Sequence, residues 1–140
     1  MELIIILSLS STFILLSSFT CLSQEAITDI DTDMKNCLQN ANSTADQRNC
    51  INNAYDSWDK LLNTEYQNLI NKLRKEEKEL FIASQRTWIK YRDTEFSFIN
   101  SYYYDNDKGT LFFVMGDHKR MEMIKNRTKE IQEFIETLDN

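Results

Sequence analysis

The sequence predicts an all-α fold: a small bundle of about four long antiparallel helices, with a disulfide across the first helical hairpin. Three observations point there. The 140 residues contain no Pro and two Gly, so turn chemistry is scarce and long helices with short connections are favoured. Apolar residues recur at helical spacing through most of the chain, without strand-like alternation. Two cysteines, Cys37 and Cys50, flank the first turn-like stretch. The length suits one domain.

Residues 1–23 read as an export signal. Leu3 to Phe19 is apolar apart from Ser and Thr, and Cys21-Leu22-Ser23 places small residues at the −3 and −1 positions of a cut before Gln24. The domain is then 24–140. No Lys or Arg precedes the apolar run, so a retained anchor helix and lipidation at Cys21 stay open as alternatives. The formal charge is −6, and loss of Glu2 with the signal leaves 21 acids against 16 bases, or −5. Such a surface disfavours nucleic acid and anionic membrane and favours a basic partner.

The first helix is expected near 28–41. Thr28 and Asp31 have capping-box spacing, and Ile27, Ile30, Met34, Cys37, Leu38 and Ala41 make a short apolar face. Asp29, Asp31 and Asp33 have the look of a calcium loop, but Met34 stands where that loop needs Gly and Asn40 where it needs Glu. Asp105 to Gly109 fails for the same kind of reason: its Gly comes one place early.

The stretch from Asn40 to Thr44 is a turn, and Thr44 with Gln47 is a second capping box, so the next helix should run over 45–73. Its buried side includes Ile51, Ala54, Tyr55, Trp58, Leu62, Tyr66, Leu69, Ile70 and Leu73, with Asp59 and Asn63 beside that stripe at spacings of four and three from one another and Tyr66. The charge run Lys75 to Glu79 reads as the solvated start of a third helix, 75–104. Phe81, Trp88, Phe96 and Ile99 form its apolar face, interrupted by Gln85 and Arg92. Polar groups in such a stripe must be bonded if buried. A brace between helices is therefore expected, with Asn63 or Asp59 as partners of Gln85 or Arg92; exposure to a partner protein is the alternative. The last helix is expected over 110–138, with Leu111, Val114, Met121, Ile124, Ile131, Phe134 and Leu138 inward, Arg127 among them, and a kink at Gly116-Asp117.

Removing the signal removes Cys21 and leaves one pair. A helical hairpin brings Cys37 and Cys50 face to face, and export supplies an oxidising compartment. A loop of this size gives about 3 kcal/mol in the chain-entropy model. Two free thiols are the alternative. Zinc is disfavoured, because His118 is the sole His.

These residues carry a family resemblance. Cys37 and Cys50 are followed by Asp59, Leu62, Asn63, Tyr66 and Leu69, then by Ala83, Gln85, Trp88, Arg92 and Asp93, then by Arg127, Glu130 and Ile131. The pattern, roughly Met34 to Ile131, resembles the LprI-like family of bacterial secreted proteins, named after a lysozyme inhibitor. Many relatives carry another Cys where Phe96 stands, and its partner in the last helix is absent too. The resemblance implies a secreted or periplasmic helical binding protein, in some members an inhibitor of c-type lysozyme. It makes Asp59, Asn63, Tyr66, Gln85, Trp88, Arg92, Asp93 and Arg127 structural or partner-binding positions.

Three classes compete: an inhibitor with lysozyme as protein partner, a structural or interaction module of the cell envelope, and an enzyme. No Ser-His-Asp or Cys-His set, phosphate loop or metal cluster supports the third, so no catalytic residue and no cofactor is assigned.

Overall fold

The computed structural model describes residues 18–139. Four helices follow one another: α1 (Ser18–Gln39), α2 (Thr44–Lys72), α3 (Lys75–Tyr103) and α4 (Thr110–Asp139), with a 3-10 turn at Asn106–Lys108 before α4. No strand occurs among the described residues.

Local chemistry sets the boundaries. Ser43 caps α2: its hydroxyl accepts from the Asp46 N–H at 3.1 Å, and the Asp46 carboxylate accepts from the Asn42 N–H at 3.2 Å. The expected pair Thr44 and Gln47 is thus displaced by one residue. Only Leu73 and Arg74, both extended, separate α2 from α3, and the Glu77 carboxylate takes up the Arg74 N–H at 3.2 Å. Gly109 has φ +83°, a left-handed conformation that suits Gly and stops the chain before α4.

The start of α1 differs from expectation. The chain is already helical at Ser18, the first described residue, so Thr28 and Asp31 lie within α1 and cap nothing. It passes through Cys21, Ser23 and Gln24 without a break. Residues 1–17 of the expected signal lie outside the described residues. Among the described residues no helix is long and apolar enough to cross a membrane.

Consecutive helices reverse direction, which leaves α2 and α4 parallel and side by side. Arg48 meets Asp117, Trp58 meets Thr128 and Glu65 meets Gln132, so both chains advance together. Their seam is the core. Ile51, Ala54, Trp58, Leu62 and Leu69 pack against Met121, Ile124, Ile131 and Ile135. Trp58 is wholly buried, with the Lys125 ammonium 5.6 Å from its ring centre. Helix α3 runs back along α4 and barely touches α2. It offers that seam Phe81, Trp88 and Phe96, all partly buried.

Helix α1 lies on α2 through Ile30, Met34 and Leu38. The Cys37–Cys50 disulfide fastens it, with the two Cα atoms 5.6 Å apart. Lys125 of α4 bonds Asp31 at 2.9 Å and holds the same helix from the other side.

The inward face of α4 keeps the expected Met121, Ile124 and Ile131 but departs from expectation towards its ends. Leu111, Phe134 and Leu138 are exposed, while Ile135, Thr128 and Gln132 are buried. Pairing with α2 on one side and α3 on the other selects that face, which a single apolar stripe cannot show. Helix α4 also runs unbroken through Gly116. The glycine is there for space: a Cβ at Gly116 would lie 2.9 Å from the Cβ of Tyr103 and 3.0 Å from the Tyr104 ring.

Candidate functional site

The family-pattern residues beyond the disulfide are spread over α2, α3 and α4. On the α4 side, Arg127 is buried and donates through Nε to the amide oxygen of Gln85 at 2.9 Å. Its Nη1 donates to Glu130 at 2.9 Å. The guanidinium carbon lies 5.7 Å from the ring centres of both Phe81 and Trp88. Gln85, Trp88 and Arg127 therefore form one cluster joining α3 to α4.

Arg92 is not the brace expected of it. Its guanidinium turns to the neighbouring Asp93, with Nε and Nη2 donating to one carboxylate oxygen at 2.9 and 2.7 Å. It lies over Trp88 at 5.6 Å and over Phe96 at 5.8 Å. Trp88 is thus flanked by two guanidiniums, one from α3 and one from α4. Asn63 does not meet α3 either. It is exposed and donates to the Asp59 carbonyl one turn back at 2.8 Å. The thin α2–α3 contact explains both misses, because polar groups on these helices find nearer partners on their own helix.

Tyr66 stacks on Phe81 with ring centres 5.8 Å apart, the one aromatic link at the α2–α3 turn. Phe96, standing where relatives carry another Cys, packs against Tyr55 at 6.3 Å and under the Arg120 guanidinium at 4.7 Å. Burial raises the Tyr55 phenol above its ordinary range, with the Asp59 carboxylate adding to the shift.

Two buried polar links escaped the sequence reading. Asp117 accepts from Arg48 Nε at 2.6 Å and from the Tyr104 hydroxyl, tying α2, the end of α3 and α4 together. Donating to Asp117 holds the Arg48 guanidinium above its ordinary value; burial, then its own hydrogen bond to Asp117, raises the Tyr104 phenol. Glu65 accepts from Gln132 at 3.1 Å and from Asn68 at 3.0 Å inside the α2–α4 seam. The signal for both was available. Asp117 falls between Val114 and Met121, and Glu65 between Leu62 and Leu69, each a polar residue inside an apolar stripe.

The arrangement leaves a groove of about 830 Å³ between α3 and α4, floored by Trp88, Ile99 and Arg127. Tyr91, Phe98 and Tyr102 stand along its α3 rim, and Phe98 is 60 % exposed. Glu95, Glu122 and Glu130 supply acids, Lys119 and Arg127 bases. Exposed aromatic side chains over a floor of partly buried Trp88 and buried Arg127 match the composition of protein-binding sites. Among the described residues no cluster of three or more His, Cys, Asp or Glu is placed to hold a metal.

A solved structure of an uncharacterized protein from Burkholderia thailandensis shares this fold, with TM-score 0.72 at 23% identity. The superposition covers 79% of this chain and 55% of that one, so this chain spans about half the length of that relative. No curated protein matches the chain at a significant level. The sequence profile described as lysozyme inhibitor LprI matches residues 21–131, which takes in the disulfide, the Gln85–Trp88–Arg127 cluster and both walls of the groove. With most of its length accounted for in this way, the chain belongs to the LprI family.

Proposed function

We propose that this chain is an exported, non-enzymatic binding protein that inhibits a c-type lysozyme. The observation that carries the reading is the family match, because its span includes the motif residues that build the α3–α4 cluster. Two features of the chain agree with it. The net charge of −5 after loss of the signal speeds encounter with a basic enzyme, and the exposed rings beside the groove supply contact area. Gln85, Trp88 and Arg127 act as the frame of the binding face. Asp59, Asn63 and Tyr66 belong to the opposite, α2 side, and Arg92 with Asp93 to the outer edge.

Export follows from the N-terminal pattern, with cleavage before Gln24 and residence in the periplasm or outside the cell. A disulfide that fastens α1 suits an oxidising compartment. The test is turnover of bacterial cell walls by a c-type lysozyme with rising amounts of the purified protein at low salt. Slowing that weakens as salt is added supports the proposal. Unchanged turnover at large molar excess favours a cell-envelope interaction module with another partner.

A further inference from the structure

The groove between α3 and α4 holds one carboxylate without a counter-ion. Arg127 bonds Gln85 through Nε and Glu130 through Nη1, with its Nη2 buried and turned to no acceptor, and Glu122 lies 3.7 Å from Lys125. Glu95 has neither a hydrogen bond nor an ion pair among the described residues, although it is partly buried and lines the groove. Tyr91 and Phe98 flank it on α3 at one-turn spacing, four residues before and three after, so all three share a face. Both rings are exposed, 54 % and 60 %. The remaining base of the groove, Lys119, sits towards Tyr103, with its ammonium 6.0 Å from that ring.

We propose that Glu95, Tyr91 and Phe98 form a receptor for one basic side chain, Arg before Lys, of a protein partner. The aromatic rings offer their negative faces to a cation, and the carboxylate accepts two parallel N–H bonds from a planar guanidinium. A neutral or acidic side chain gains neither. The net charge of −5 left after loss of the signal favours encounter with basic surfaces. The inference rests on the binding reading above but names a site and a chemistry which that reading leaves open.

The test has two arms, both on the full chain. In the first, N-acetyl-argininamide is titrated at low salt while backbone amide NMR signals are followed, with N-acetyl-glutaminamide as the neutral control. Saturable shifts centred on Tyr91, Glu95 and Phe98 are expected for the arginine probe alone, with binding at least fivefold weaker in Glu95→Gln and in Phe98→Ala. Phe98 is exposed and Glu95 partly so, and unchanged melting temperatures will show that the variants are folded. In the second arm, a c-type lysozyme is the ligand, and Glu95→Gln should weaken binding at least tenfold. Arginine shifts spread over the acidic surface, or equal affinity for wild type and Glu95→Gln, overturn the receptor. If the arginine probe localises to the groove while wild-type protein ignores lysozyme, the receptor stands and the lysozyme reading falls. If lysozyme binds wild type and Glu95→Gln alike, the reverse holds.

Discussion

Arg127 on α4 reaches Gln85 on α3 at 2.9 Å, across 42 residues of sequence, and this bond ties the two helices together at the groove floor. It is buried on both sides, so removing either partner strands the other. Arg127→Ala should lower stability by roughly 2–4 kcal/mol, the range for breaking a buried charged network. Urea melts of Arg127→Ala, Gln85→Ala and the double variant check it: the double loss should fall well short of the sum of the two single losses.

Arg92→Ala should be mild by contrast. Its ion-pair partner, Asp93, is its chain neighbour and 59 % exposed, and what remains is the cover over Trp88 and Phe96. About 0.5–1 kcal/mol is the expected loss. A thermal melt beside that of Arg127→Ala ranks the two arginines directly.

Gly116→Ala sets two effects against each other. Helix propensity favours Ala by about 1 kcal/mol. The new methyl, however, meets the Tyr103 Cβ at 2.9 Å, and that atom is bonded to backbone and cannot swing away. Overpacking of this kind costs about 1–3 kcal/mol, so the variant should be less stable, most visibly in melts that report on the α3–α4 loop.

Reduction of Cys37–Cys50, or its replacement by Ala at both positions, should cost about 3 kcal/mol. Helix α1 should loosen before the rest, since it otherwise holds to the bundle by Ile30, Met34, Leu38 and the Asp31–Lys125 pair. Amide exchange on the reduced protein will show protection lost from α1 first and kept along the α2–α4 seam.

Alkali should weaken the fold through Tyr55 and Tyr104. Both phenols are raised above the ordinary 10.0, so both are neutral in folded and unfolded chains below that pH and their contribution is then complete. As pH climbs from 10.0 towards the raised folded values, the unfolded chain ionises first and stability falls. Denaturant melts on either side of pH 10.0 should show this, and Tyr104→Phe should flatten the fall while losing the Asp117 bond at every pH.

Much of the fold was legible from spacing alone. Expected ranges of 45–73, 75–104 and 110–138 compare with Thr44–Lys72, Lys75–Tyr103 and Thr110–Asp139, because long apolar stripes in a chain without Pro leave few other readings. The disulfide was legible too, since a short turn leaves its flanking cysteines little choice of partner. The start of α1 was not: the Thr28–Asp31 spacing also occurs inside helices. Nor was the bonding of the motif residues. Gln85 could be recognised as needing a partner, but its finding Arg127 instead of Asn63 depends on α3 packing along α4. That packing is a fact of helix arrangement, and no local pattern encodes it.

The parallel course of α2 and α4 makes the chain a late assembler. Its main seam joins positions 66 to 70 residues apart, such as Thr44 with Thr110 and Trp58 with Thr128. Neighbouring helices α2 and α3, which could meet first, share little surface. Closure of so long a span carries its entropic cost before the core repays it, so folding should be slower than for a bundle whose successive helices pack in turn. Helix α3 is then the return path that the seam must wait for.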